Sequence, residues 1–337
     1  MNERILLSHG SGGDMTRQLI QELFVRHFDN GILRTLSDSA ILGACTGEAV
    51  FTTDSYVVDP IFFPGGDIGK LAVCGTVNDL AVAGANPAYL SAGFIIEEGI
   101  TMKDLEEVVA SMAREARKAG VQIVTGDTKV VNRGKADKIF INTAGIGYLH
   151  PNCRGLTYHE SIRPGDRILV NGTLGEHGIA VLAARKELNL SSEILSDCAC
   201  LNGLIADMLR QINGIRFMRD LTRGGLATAL CEMISNTSHG INLWEKEIPV
   251  REEVNGACEM LGFDPVYLAN EGKFITVVDE EDSEDLVELM KHDPLGRDAA
   301  IIGEIVAKHP GRVEMQTRIG GRRIIEMLTG EQLPRIC

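Results

Sequence analysis

Five aspartates stand among apolar or small residues along this chain. They are Asp38, Asp54 (in Thr-Thr-Asp-Ser-Tyr), Asp79 (in Val-Asn-Asp-Leu), Asp127 (in Thr-Gly-Asp-Thr) and Asp220 (in Arg-Asp-Leu-Thr). An ionised carboxylate is costly to bury unless it is paired or metal-bound. Hard cations take oxygen ligands, so carboxylates drawn from several elements suit magnesium ions bridging phosphates. Taken singly, each aspartate could instead cap a helix or close a turn, and Asp67 reads as a cap alone. Gly10-Ser11-Gly12-Gly13 could wrap a phosphate with backbone N–H groups, or form a flexible loop. Gly224-Gly225 after Arg223 reads as a helix-start anion site or a tight turn. His177 in its glycine turn reads as a phosphate contact or a surface residue. The common motifs fail: Leu71 stands where a P-loop needs Ser or Thr, Met15 replaces the third glycine of GxGxxG, and neither GxSxG nor HExxH occurs.

The 8 cysteines form no CxxC pair and no zinc-ligand spacing, which suggests a reduced compartment. Cys337 differs in kind because it is the last residue of a Gly- and Pro-containing segment that has no helical or strand period. Ten extended residues reach roughly 33–36 Å, enough to carry a thiol between an outside partner and an inside site. A disordered end is the plainer reading. The thiolate is the reactive form; the neighbouring α-carboxylate should raise the thiol pKa and Arg335 should lower it.

Elements must position these groups. Strands are expected at 49–58, 88–96, 121–125 and 138–147. Helices are expected from Asp67 to about Gly84 and at 102–119, the latter capped by Thr101 and ended by Gly120. Periodicity stops around 150–165. It resumes with a strand at RILVNG, a helix after the glycine turn, helices near 194–212, 224–237, 251–261 and 281–291, and strands near 273–279, 299–307 and 313–317. Alternation in both halves predicts two α/β-type domains, 1–150 and 151–327, followed by a mobile tail, 328–337. The chain has 337 residues, so two domains agree with length as well. Its net charge of −14 argues against nucleic acid as main partner. The sequence contains neither a signal-peptide pattern nor 18 consecutive apolar residues, so a cytoplasmic protein without membrane partners is expected.

Seven segments together carry a resemblance: HGSGG at 9–13, FTTDSYVVDPIFFPGGDIGKLAVCGTVNDLAVAGA at 51–85, VTGDTKVV at 124–131, NGTLGEHG at 171–178, DLTRGGL at 220–226, LANEGK at 268–273 and PRIC at 334–337. They span essentially the whole chain, which resembles the HypE family of hydrogenase maturation factors in the aminoimidazole-ribonucleotide-synthetase (PurM) superfamily. The resemblance implies an α/β (α+β) fold of two PurM-like domains. The N-terminal four-stranded sheet would pair across a homodimer, and the C-terminal domain would be an α/β sandwich with a flexible tail. It implies ATP and Mg2+ as cofactors, with ATP bound by His9, Gly10, Ser11, Gly12, Gly13, Asp54, Asp79, Asp127, Thr128 and Asp220. Asp38, Asp54, Asp79, Asp127 and Asp220 would serve the metal. Ser37-Asp38-Ser39 offers one acid where superfamily members often have two. The implied chemistry is dehydration of an S-carboxamide on Cys337 to a thiocyanate, with Glu271 and Lys129 as catalytic residues. The implied partners are the carbamoyltransferase HypF and the HypC–HypD scaffold that receives cyanide for nickel–iron hydrogenase. The rival readings are another ATP-dependent superfamily enzyme, of the selenophosphate or aminoimidazole-ribonucleotide synthetase type, and a non-catalytic nucleotide-gated scaffold. Ser11 stands where the selenophosphate enzymes usually carry Cys or selenocysteine.

Overall fold

The computed structural model describes residues 3–43, 47–151, 153, 156, 159–185, 193–328, 330, 333 and 335–337. The N-terminal half opens with the glycine loop and α1 (Asp14–Leu19), which runs through a π-helical stretch (Ile20–Val25) into α2 (Arg26–Phe28). Then come β1 (Ala49–Tyr56), the two-residue strands β2 (Phe62–Phe63) and β3 (Gly66–Asp67), α3 (Ile68–Val82), β4 (Ala85–Glu97), α4 (Met102–Ala119), β5 (Gln122–Val131) and β6 (Ile139–Leu149). Four of these strands form one sheet in the order β1-β6-β4-β5, antiparallel except for the β4–β5 pair.

Helix α3 is apolar nearly all round, as a helix buried between layers must be. Asp67 starts it: one carboxylate oxygen accepts from the Gly69 and Lys70 amides at 2.8 and 3.0 Å. Helix α4 has one apolar stripe, Leu105, Val108, Val109 and Met112, which it buries in the same core. Strand register divides the sheet into two faces. Leu90, Ala92, Phe94, Ile139 and Ile141 point into the core, while Phe51 and Ile95 stand exposed on the opposite face.

The second half contains β7 (Arg167–Val170), α5 (Glu176–Ala184), α6 (Asn202–Gln211), β8 (Ile215–Asp220), α7 (Gly225–Ile234), β9 (Gly240–Trp244) and α8 (Glu252–Leu261). Beyond these lie β10 (Phe274–Val278), α9 (Ser283–Lys291), β11 (Ala300–Val306), β12 (Val313–Gln316) and β13 (Arg322–Ile325). Their seven-stranded sheet runs β13-β12-β9-β11-β7-β10-β8. Alternating residues pack on opposite faces: Ile168 and Val170 join the core under α7, and Leu169 joins the core under α6 and α9.

Three differences from the sequence reading have physical causes. A helix is expected over 194–212 but begins at Asn202, because residues 194–201 have no regular structure and are tied to α3. There the Asn78 side chain donates to Ala199 O at 3.0 Å and accepts from Leu201 N at 2.8 Å. Strands β8, β9 and β13 and the helical run 14–28 carry too little periodicity to be read in isolation. The segment expected to be a mobile tail contains docked residues, Leu333 and Arg335–Cys337, described below. No helix among the described residues is long and apolar enough to cross a membrane.

Candidate active site

Strand β1, helix α3, the end of β8 and the loop before β10 bring half-buried Asp54, Asp79 and Asp220 together with buried Glu271 in one cluster. Thr52 Oγ donates to Asp79 Oδ2 at 2.7 Å, and Tyr56 Oη reaches Asp54 Oδ2 at 3.4 Å. Gly75 makes this possible, since a Cβ there would overlap the Tyr56 hydroxyl. Crowded carboxylates raise each other's pKa values. Burial, then Asp220 and Asp54, push Asp79 up to about 8. Burial and Asp54 push Asp220 to about 6 against the lowering by Arg219. Glu271, only 3% exposed, is held well above the carboxylate range by burial and by Asp197, Asp220, Asp54 and Asp79. Its Oε1 is buried without a hydrogen-bond partner.

The backbone around Glu271 is fixed from both halves of the chain. Asp197 accepts from the Glu271 and Gly272 amides at 3.1 and 3.2 Å and pairs with Lys273 at 2.9 Å. Asn78 donates to Glu271 O at 3.3 Å. Asn270 accepts from Gly175 N at 2.8 Å and donates to the Leu221 and Leu268 carbonyls. Glu271 is therefore rigidly aimed while its Oε1 is left unsatisfied.

The tail enters this cluster. Val57 N donates to Cys337 O and Asp59 N to Arg335 O, both at 3.2 Å, so residues 335–337 run beside 57–59. Ile336 is buried in the N-terminal core, and Leu333 packs against the Leu268 cluster. The Cys337 thiol is pushed up to about 12, chiefly by burial and next by Glu271, while Arg223 lowers it. Arg335 does not play the part expected of it, because its guanidinium pairs with Asp137 and lies 3.8 Å from Asp59.

A second group sits at the other edge of the sheet. A cavity of about 570 Å³ is lined by Gly10, Gly12, Phe94, Asp127, Thr128 and Lys129, a size ordinary for a small-molecule site. Gly10 packs so closely on β5 that a Cβ would overlap the Val130 amide. His9 is buried, its Nδ1 accepting from Leu6 N at 2.9 Å; Ser11 Oγ donates to Ser8 O at 3.1 Å, and Gly13 precedes α1. Asp127 is lowered by its 2.8 Å bond from Lys129 Nζ, both side chains being exposed. Ser37 and Ser39 line the cavity on either side of Asp38, which is exposed.

Within one chain the two groups remain apart. Asp54 pairs in register with Thr143, whose side chain faces α3, whereas Asp127 lies in the row of Gly93 and Asn142 on the opposite face. Three interstrand spacings of about 4.8 Å separate β1 from β5. Lys129 therefore belongs with the cavity and is not beside Cys337. Among the described residues no three His, Cys, Asp or Glu side chains converge into a metal cage. The carboxylate crowding nevertheless fits magnesium, which usually takes one or two carboxylates together with phosphate oxygens.

Sequence reasoning left four contributors out of the site. His177 is fully buried and binds the tail backbone, with Nε2 2.7 Å from Ile336 O. Asp197 and Asn270 hold Glu271, and Arg223 offsets the acidity around the thiol. The flanking glycines at 175 and 178 were the only sequence signal for His177.

The N-terminal half matches the family of AIR synthase related protein N-terminal domains over residues 36–149, and the second half the corresponding C-terminal domain family over 163–316. The carbamoyl dehydratase HypE of Rhodobacter capsulatus is 51% identical over 338 aligned positions, covering 100% of this chain and 99% of that protein. This chain belongs to the HypE family. A crystal structure of a HypE in complex with ATP superposes with a TM-score of 0.94 at 50% identity, covering 98% of this chain and 99% of the other. The HypE in a crystallised HypE–HypF complex gives 0.80 at 47% identity, covering 92% and 99%. Members of the HypE family thus share this two-domain architecture over its full length. The chain is an enzyme of mixed α/β fold built from two PurM-like domains.

Proposed function

We propose that this chain uses ATP to dehydrate an S-carboxamide on its own Cys337, giving the thiocyanate that supplies cyanide for hydrogenase maturation. The observation that carries the reading is the docked tail, which places Cys337 under the direct influence of a buried, unsatisfied Glu271. In the balanced reaction the carboxamide oxygen attacks the γ-phosphorus and ADP leaves. Both protons leave nitrogen, and the C–O bond then breaks with phosphate as leaving group. The products are S–C≡N, ADP and inorganic phosphate. Glu271 in its ionised form takes the first nitrogen proton, its raised pKa making it a strong base, and the second proton passes to the departing phosphate. Asp54, Asp79 and Asp220 would hold magnesium, which would neutralise phosphate charge and offset the carboxylate repulsion that, after burial, raises the pKa of Glu271. The glycine loop, Asp127, Thr128 and Lys129 would bind the nucleotide in the cavity beside β5, with Asp38 at its rim.

A thiol held up at about 12 is a poor nucleophile. Carbamoyl acceptance from a HypF-type carbamoyltransferase therefore belongs to the undocked tail, and dehydration to the docked one. The exposed sheet face, with Phe51 67% and Ile95 44% exposed, supports pairing with a second copy. A HypC–HypD type scaffold would then receive the cyanide. Free thiols and the negative charge support a cytoplasmic location.

The test is mass spectrometry of the tail peptide after incubation with HypF, carbamoyl phosphate, magnesium and ATP. The peptide should gain a carboxamide and then lose one water. Cys337→Ala should abolish both changes while leaving the fold intact. A carboxamide that persists in the presence of ATP would remove the dehydratase reading.

A further inference from the structure

Along residues 335–337 the backbone oxygens face opposite halves of the chain in turn. Those of Arg335 and Cys337 meet the N-terminal half, at Asp59 N and Val57 N, and Arg185 Nη2 also donates to Arg335 O at 3.0 Å. The carbonyl of Ile336 faces the other way in a groove where Ile336 is only 5% exposed, and a buried carbonyl without a donor is costly. His177 from the second half supplies that donor at 2.7 Å.

The tautomer follows from the network. A carbonyl can only accept, so Nε2 carries the proton. Burial pushes the pKa of His177 down, which leaves the imidazole neutral and Nδ1 an acceptor. Ser196 Oγ lies 2.8 Å from Nδ1 and donates to it, while itself accepting from Cys198 N at 3.1 Å. Ser196 N in turn bonds Pro64 O at 2.8 Å, and Phe63 meets the imidazole edge-on at 5.5 Å. The imidazole is thus oriented by residues of both halves, and its sole free proton points at the tail.

We propose that His177, oriented by Ser196, is a positioning residue that clamps the Ile336 carbonyl and thereby fixes Cys337 at Glu271 for the dehydration step. This rests on the carbamoyl-dehydratase reading above. The clamp acts only on the docked tail, so it separates the two halves of the cycle. Loss of His177 should leave a tail that accepts a carbamoyl group and then waits.

The experiment follows the tail peptide by mass spectrometry in the full chain with HypF, carbamoyl phosphate and magnesium-ATP. In His177→Leu the carboxamide should accumulate and its conversion to thiocyanate should slow about 100-fold, the scale of an ångström-sized misplacement of a reacting group. His177→Gln, whose amide N–H can reach the same carbonyl, should recover most of the rate. Ser196→Ala, which frees the imidazole to turn, should fall between. Alkylation of Cys337 in the carbamoyl-free protein should quicken in His177→Leu and return toward wild type in His177→Gln. If His177→Leu does not fold, Gln and Ser196→Ala decide the matter by the same ratio of the two steps. Wild-type thiocyanate rates in the Leu variant, or equal loss in Leu and Gln, would overturn the clamp. Absence of thiocyanate in the wild type would instead overturn the dehydratase reading itself.

Discussion

At the residue scale the decisive property is unscreened negative charge. Asp79 has a folded-state pKa of about 8 against an ordinary 3.8, so the folded protein retains a proton that the unfolded chain releases over that interval. Stability is then full below the ordinary value and falls as pH rises toward the folded one. Nucleotide- and magnesium-free protein should lose melting temperature between pH 6 and 8. Asp79→Asn should flatten that slope and melt higher than wild type at pH 8, while its magnesium-dependent ATP hydrolysis drops. Calorimetry across pH, paired with phosphate release, checks both halves; unchanged hydrolysis would make Asp79 structural. Glu271→Gln should stop the tail at the carboxamide, with a rate loss of about 100- to 10,000-fold, the usual worth of a general base. Normal thiocyanate yield in that variant would assign the proton transfer elsewhere. Asp79 was legible in the sequence because an aspartate amid apolar residues needs a reason, whereas Glu271 entered only through the family resemblance. Asp197 and Asn270 were not legible, since their work is to hold the backbone of a segment distant in sequence.

At the element scale, close approach of backbones explains what sequence could and could not reveal. Helices α3 and α4 were readable from Asp67 and Thr101 as caps and from their apolar content. Residues 194–201 contain no local instruction to stay out of a helix; the instruction comes from Asn78 on α3 and is met only after the two halves pack. The glycine loop poses the reverse case. Its flexibility on paper becomes fixed position in the fold, since Gly10 abuts Val130 on β5. Gly10→Ala should push the loop off the strand and weaken ATP binding, measured by titration calorimetry, with Cys337 carbamoylation retained. Wild-type affinity would show that the loop does not shape the nucleotide cavity.

At the scale of the whole molecule, the candidate residues form two groups at opposite edges of one sheet, and the tail reaches only one of them. The proposed pairing would set a second copy against the exposed face, to which Asp127 and Lys129 point. Phe51→Asp, which places a charge on that face, should convert a dimer to a monomer in sedimentation and reduce ATP turnover; a dimer of unaltered stability would locate the interface elsewhere. Within the tail expected from composition, residues 335–337 dock through backbone hydrogen bonds with 57–59 and His177, which side-chain composition does not encode. The central claim is that ATP activates the carboxamide oxygen directly. Carbamoyl phosphate labelled with oxygen-18 at its carbonyl tests it most directly, with single-turnover analysis of the inorganic phosphate released. The account predicts that the label appears in phosphate in step with thiocyanate formation. Label recovered in water, with unlabelled phosphate, would contradict it.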